Sequence, residues 1–410
     1  MRQLLGRYTV HWINTIGTRR PRFDWATLRR GLEKLRDWLV EASGASESPG
    51  ELRPANLRVT NPAMWPSFGS AFARAVNRKL LVRQLKSLLE DLGRPAVAVT
   101  TLPIVADLIG MLPVTRWVYY CVDDFSVWPG LDGPTLARME AELVDRVDTI
   151  IAVSEPLQAK LARPGRPVHL LTHGIDLDFW RGPDDADPSA AGGRGRSRAG
   201  RIGAAGASPA RGLSSLEPVA ELSGLERPLV VFWGVKDRRM DVAFVRRLAD
   251  DLPRGTIVLV GPENDPDPLL YQPARVVAVP SLPFAALPHV AREAAVLIMP
   301  YADLPVTRAM QPLKLKEYLA TGRPAVVRDL PATRPWVDCL DRADTPEAFA
   351  RLVRLRIETG LPAEQRAARE RLANETWAIK ARVFERWLLG LEPTASACPL
   401  DPDATARMPA

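Results

Sequence analysis

Two series of apolar runs alternating with helical stretches, separated by a segment that cannot bury a core, constrain this 410-residue chain more than any other feature. In the first series the strand candidates are 9–14, 57–60, 96–100, 117–122, 149–153 and 168–171, with helices expected near 24–40, 68–92, 103–111, 133–147 and 155–162. In the second, strands are expected at 229–233, 256–260, 276–279, 296–299 and 325–327, with a weaker candidate at 337–340. Its helices fall near 240–252, 284–294, 312–321, 346–358 and 363–389. From Arg181 to about Ser215, Asp-Pro, Gly-Gly, Arg-Gly and Ala-Gly steps replace the large apolar residues, the composition of a disordered insertion or linker. Strand–helix alternation argues for parallel sheets covered by helices. Two such series give an α/β protein of two Rossmann-like domains facing each other across a cleft. The expected boundaries are 1–178, a linker at 179–225, 226–392, and a Pro- and Ala-rich tail at 393–410.

An apolar share of 46% with 25% charged residues is that of a water-soluble globular protein, and no apolar run approaches the roughly 18 residues of a membrane span. The first ten residues lack the apolar segment of a signal peptide. Cys121, Cys339 and Cys398 are far apart and without metal-ligand spacing, and the four histidines do not cluster, so reduced thiols, a cytoplasmic location and no protein-bound metal are expected. The net charge of +7 is uneven: residues 1–94 hold 17 Lys/Arg against 8 Asp/Glu. That surplus fits solvated helix faces, or an anionic membrane surface met peripherally. Nucleic acid is not expected as a partner, since no aromatic–basic motif for bases is present.

The segment from Met310 to Val327 carries the chemistry. Pro312 suits the first helical position and Gly322 the C-cap, after which an apolar run enters a strand. Lys314 sits in the first turn, where backbone N–H groups and the helix dipole favour a phosphate. Glu317 follows at i+3 on the same face, placed to accept hydrogen bonds from two vicinal hydroxyls. A lysine for a diphosphate and a glutamate for a ribose suit a nucleotide-sugar site; the same charges also suit the solvated side of an amphipathic helix.

Several segments, in order, resemble the GT-B-fold glycosyltransferases of the "group 1" superfamily, mostly retaining enzymes that use nucleotide-sugar donors. Ile150–Leu157 is similar to that family's strand-to-helix step, and Leu171-Thr172-His173-Gly174-Ile175-Asp176 to the step that leaves its N-terminal domain. Phe232-Trp233-Gly234 through Arg239-Met240-Asp241 resembles the opening of its C-terminal domain, and Leu259-Val260-Gly261-Pro262 a strand end. Pro312-Leu313-Lys314-Leu315-Lys316-Glu317-Tyr318-Leu319-Ala320 resembles its donor motif. The resemblance implies donor binding by Gly234, Lys236, Arg238, Arg239, Gly261, Pro312, Leu313, Lys314 and Glu317. Gly234 would let the backbone approach the diphosphate. One or two of Lys236, Arg238 and Arg239 would neutralise the leaving group and replace a divalent metal, so that no cofactor is expected. Asp241 would cap the next helix or orient an arginine. Arg239, Lys314 and Asp123 are the catalytic candidates. Acceptor binding falls to Gly17, Arg19, Asp123 and Asp124, with a turn or cap role open for the two acids.

Two departures from the family pattern stand out. The first glutamate of its Glu-x7-Glu pair falls at Ala309, leaving only Glu317. The segment Arg2–Arg7 resembles a helix that the family places after a first strand and a glycine loop. The resulting expectation is a transferase acting on a saccharide or lipid-linked acceptor in polysaccharide or glycolipid synthesis. A nucleotide-sugar epimerase and a catalytically silent nucleotide-binding scaffold are the alternatives.

Overall fold

The computed structural model describes residues 1–15, 54–181 and 219–391, so the helix expected near 24–40, most of the linker and the C-terminal tail lie outside the described residues, as do Gly17, Arg19 and Cys398. The chain divides into two compact units, the first running to Thr172 and resuming at Lys380, the second comprising His173–Ile379.

In the first unit, β1 (Val10–Ile13) pairs in parallel with β2 (Leu57–Thr60). A second parallel sheet has the order β3 (Val97–Thr100), β4 (Arg116–Cys121), β5 (Thr149–Ala152), β6 (Val168–Leu170). Helix α1 (Ala71–Leu92) starts at Ser70, whose hydroxyl accepts from the Ala73 N–H, and ends at Gly93 in the left-handed conformation. Helices α2 (Gly133–Arg146) and α3 (Glu155–Leu161) follow β4 and β5, with Ser154 capping α3; the short α4 (Leu177–Arg181) already belongs to the second unit. The expected helix at 103–111 is a 3-10 segment, Pro103–Leu108.

The second unit carries a six-stranded parallel sheet in the order β11 (Val276–Val279), β9 (Thr256–Val260), β7 (Leu229–Trp233), β12 (Ala294–Met299), β13 (Ala325–Arg328), β14 (Asp341–Ala343). The short β8 (Lys236–Asp237) and β10 (Glu263–Asn264) form a separate parallel pair. Every residue of β7 and β9 is buried, as in a sheet covered on both faces. Phe244 of α5 (Val242–Asp251) and Phe349 of α9 (Pro346–Thr359) meet edge to face at 5.3 Å over one side of this core. Each large apolar side chain so buried contributes about 1.5–3 kcal/mol. Strand order grows one way from β7 through β9 to β11 and the other way through β12 to β14. The reversal between β7 and β12 is a topological switch point, where ligands of such sheets bind at the strands' carboxyl ends.

Three sequence expectations are corrected. The last strand is Asp341–Ala343, not 337–340: Cys339 and Leu340 are buried in the preceding turn, while Asp341 pairs with Val326 and holds Arg356 at 2.6 and 2.7 Å. The helix expected at 284–294 opens as a 3-10 turn before α6 (Leu287–Glu293). The helix expected at 363–389 is three pieces, α10 (Ala363–Ala368), a 3-10 run at Arg369–Glu375 and α11 (Trp377–Leu388). Its break follows from Arg369, whose guanidinium donates to the carbonyls of Cys339 and Arg323 at 2.8 Å each, and from Thr376, which bridges to Ile175. The units also divide at other places than the sequence suggested. From Lys380 on, α11 belongs to the first unit, where Phe384 packs on Tyr120 at 5.3 Å and Trp387 stacks on His169 at 4.5 Å.

Candidate functional site

Residues from β7, β9, β12 and the helix α8 (Leu313–Ala320) converge at the switch point of the second unit. Gly234 and Gly261 end β7 and β9 side by side: the Gly234 N–H donates to Val260 O at 2.9 Å and the Gly261 N–H to Val279 O at 3.0 Å. Both have positive φ, 139° and 134°, a conformation that excludes larger residues.

Lys314 fills the space that Gly234 leaves. A Cβ at 234 would lie 2.1 Å from the Lys314 Nζ. That ammonium bonds to the Tyr301 hydroxyl and sits 4.1 Å from the Phe232 ring centroid and 4.8 Å from that of Tyr301. Burial, joined by repulsion from Arg239, pulls Lys314 down to about 7, against the attraction of Glu317 and Asp237. Near neutral pH its charge is therefore sensitive to what lies beside it, and a neighbouring anion would favour the protonated form.

Glu317, one turn on, accepts from the Trp233 indole N–H at 3.0 Å. Burial raises its pKa, opposed by the Trp233 bond and by Lys314. Trp233 is itself fixed between the stacked Trp180 at 5.5 Å and the edge-on Tyr318 at 4.4 Å. The Tyr318 hydroxyl donates to Ile298 O on β12 and accepts from the Trp233 N–H on β7, so it spans the switch point.

Of the three cations after Gly234, the structure brings only Arg239 to this group. Its buried guanidinium grips Asp237 at 2.7–3.0 Å and lies 5.7 Å from the Tyr301 ring. Lys236 is instead buried against Val279 O, at the end of β11, at 3.2 Å and pairs with Glu263 at 3.3 Å, and Arg238 forms an exposed ion pair with Asp265. Asp241 fills both of its expected roles, capping α5 through Ala243 and Phe244 and holding Arg328 at 3.0 Å. Pro312 stands one place earlier than expected, as the N-cap of α8, and Leu313 is the first helical residue, 46% exposed. Ala309 ends the short helix α7 (Pro305–Ala309) and is buried.

In the first unit, Asp124 is buried at the carboxyl end of β4. It accepts from the Ser126 N–H at 3.1 Å and from Lys160 at 2.6 Å, which overcome burial and hold its carboxyl below the usual range. Lys160 also pairs with Glu140 at 2.8 Å, which takes the Tyr119 hydroxyl at 2.6 Å. Asp124 is thus the centre of a turn, while Asp123, half-buried beside it, lies at the strand end. Among the described residues no three His, Cys, Asp or Glu side chains converge as a metal would require.

Sequence reasoning missed Tyr301, Asp237, Trp233 and Tyr318 as parts of the site. No local pattern marks the aromatic residues as neighbours of Lys314 or Asp237 as the partner of Arg239. Only the strand order assembles them.

No protein-family model matches the chain. It is 25% identical over 224 residues, 51% of its length and 48% of the relative's, to TuaH of Bacillus subtilis (strain 168), a proposed teichuronic acid biosynthesis glycosyltransferase. The chain thus spans about half the length of that curated relative. Among solved structures it resembles a sucrose-phosphate synthase of Thermosynechococcus elongatus (TM-score 0.59, 16% identity, 94% of this chain and 100% of that one). A UDP-forming trehalose-phosphate synthase of Burkholderia xenovorans is similar over 94% of this chain and 100% of its own (TM-score 0.56, 12% identity). So is Anabaena HepE in complex with UDP, over 82% of this chain and 86% of that one (TM-score 0.54, 15% identity). The fold is the GT-B architecture with two Rossmann-like domains, and the resemblance to glycosyltransferases read from the sequence is borne out.

Proposed function

We propose that this chain is a glycosyltransferase that moves a sugar from a nucleoside-diphosphate sugar to a hydroxyl acceptor of saccharide or lipid-linked type, in cell-surface polysaccharide or glycolipid synthesis. The observation that carries the reading is the Lys314 ammonium lying against Gly234 at the switch point, with Glu317 one turn beyond it. Lys314 and Arg239 would offset the negative charge that grows on the leaving diphosphate, and Glu317 would hold the ribose hydroxyls. The acceptor oxygen bonds to the anomeric carbon as the bond from that carbon to the diphosphate oxygen breaks. The electron pair leaves with the diphosphate, which takes the acceptor's proton; both events on one face give retention. The part proposed for the relative in teichuronic acid biosynthesis and the UDP bound to HepE support the substrate classes. Arg239, with Lys314 charged beside the bound diphosphate, would make a divalent metal unnecessary in this reading.

A panel of nucleoside diphosphates and their sugars, with EDTA present, tests it by melting temperature and product formation. One nucleotide at about 100 times its Kd should add roughly 2.7 kcal/mol of stability. No shift with any nucleotide in a folded sample would sink the proposal. A shift without turnover would indicate a binding scaffold, and donor conversion without acceptor an epimerase.

The acceptor reading includes a cytoplasmic location at the membrane surface. No helix among the described residues is long and apolar enough to cross a membrane. Helix α1, however, exposes Arg78, Lys79, Arg83 and Lys86, with Phe72 73% exposed near its start. Co-sedimentation with anionic vesicles at low salt, released at high salt, is the expected result. Equal recovery with neutral and anionic vesicles would remove this part.

A further inference from the structure

The chain enters the second unit at His173 and leaves it at Ile379. These two segments are laced together. The Ile175 N–H donates to Glu375 O at 2.9 Å and the Trp377 N–H to Ile175 O at 3.1 Å, around a parallel bridge between Ile175 and Thr376. Gly174 permits the approach, since a Cβ there would fall 2.8 Å from the Trp377 backbone and ring. The His173 ring leans on Trp377 at 6.3 Å.

A side chain of the donor helix reaches this junction. Lys316 of α8 is 2% exposed, and its ammonium donates both to His173 O and to the Glu375 carboxylate. It also lies 5.9 Å from the Trp336 ring. At about 100° per residue, Lys316 projects from the side of α8 roughly opposite Lys314. One short helix of eight residues therefore presents its diphosphate group on one side and a buried cation for the junction on the other. The far end of that helix is held by Arg369, which donates to Leu319 O at 3.5 Å and to Arg323 O at 2.8 Å. A ligand drawn onto Lys314 thus acts on a helix anchored at its C-terminal end and tied through Lys316 to the entry and exit of the unit. Burying an ion pair adds little stability compared with apolar packing of similar volume, so stability alone does not account for a lysine at this position.

We propose that Lys316, with Glu375, is a positioning pair that couples occupancy of the diphosphate site to the junction of residues 173–177 and 375–379; this rests on reading Lys314 and Glu317 as the donor site. Its effect on catalysis passes through α8 and not through contact with the substrate.

Hydrogen exchange with UDP, and with pyrophosphate as a probe independent of the base, tests the coupling on the full chain. In the wild type, either ligand should protect residues 312–318 and also the Ile175 and Trp377 amides. In Lys316→Met/Glu375→Met, which replaces the pair by apolar groups, protection at 312–318 should persist and protection at the junction should disappear. The same variant should lose about 3–30-fold in kcat with diphosphate affinity nearly unchanged. Glu375→Gln, which keeps an acceptor for the ammonium, serves as the milder variant should the double one fail to fold, and Lys316→Arg should restore part of the junction protection. A merely structural pair would shift melting temperature while leaving the pattern of protection intact. Junction protection that survives in the variants, or that is missing in a wild type protected at 312–318, overturns the proposal. A wild type protected at neither place with either ligand removes the donor reading and this one with it.

Discussion

Lys314→Met is expected to lower turnover by about 10²–10³-fold, the usual loss when one preorganised charge-stabilising group is removed, while raising the melting temperature by a few degrees. The two effects have one cause. Burial and Arg239 hold Lys314 at about 7 in the folded chain, well below the ordinary lysine value of 10.5. Between these values the unfolded chain binds more protons than the folded one, so this residue makes wild-type stability rise with pH from about 7 to 10.5. Below pH 7 the whole cost of the buried cation is present, on the order of a few kcal/mol. Methionine keeps most of the volume, removes the charge and should flatten that slope. Ligand binding shows the opposite sign. A bound diphosphate favours charged Lys314, so binding takes up a proton, and wild-type affinity should fall by up to about tenfold per pH unit above 7. Calorimetric titration of a nucleoside diphosphate from pH 6.5 to 9 and melting curves over the same range check both halves. A variant that binds as tightly as wild type, with the same pH slope, would show that Lys314 does not meet the diphosphate.

The residues of the site differ in how legible they were. Lys314 and Glu317 could be read from local sequence because helical spacing alone puts them on one face. Gly234 could be read because it follows a buried strand, and Gly261 through the family resemblance of the strand end that carries it. Lys236, Arg238 and Arg239 could not be told apart, since Lys236 lies on the short β8 and the two arginines in the turn after it, where no fixed periodicity sets their directions. The structure buries Lys236 against Val279 O and pairs Arg238 with Asp265 at the surface, leaving Arg239 beside Tyr301. Tyr301 and Tyr318 were hidden for another reason: their roles depend on β7 lying next to β12, a pairing of residues some 60 positions apart that no local pattern encodes. The fold class followed from strand–helix alternation. The break at Arg369–Glu375 did not, because it is caused by carbonyls of distant segments that Arg369 satisfies. Asp124 read as either turn or ligand group, and the structure bonds it to Ser126 within a turn and to Lys160, 36 residues away, a partner no local pattern announces.

Gly261→Ala should abolish diphosphate binding and lower the melting temperature by about 5–10 °C, a larger loss of stability than Gly234→Ala causes. The comparison separates two kinds of crowding at the same sheet edge. At 261 the new Cβ would fall 2.2 Å from the Gly234 carbonyl oxygen, a backbone atom fixed by the β7–β9 ladder, at a φ of 134°. Relief requires the two strand ends to part, and a side chain in that backbone region adds roughly 1–3 kcal/mol of strain. At 234 the Cβ would meet the tip of Lys314, which is flexible and can swing away, so the cost there is mainly the strained φ of 139°. Displacing that tip still removes the cation from the place where a diphosphate would lie, so Gly234→Ala is expected to keep most of the fold and lose the ligand. Melting curves with and without nucleoside diphosphate distinguish the cases. Equal destabilisation by both substitutions would mean that backbone strain outweighs contact at this edge. Retained binding in Gly234→Ala would place the diphosphate away from the switch point and move the donor site elsewhere in the second unit.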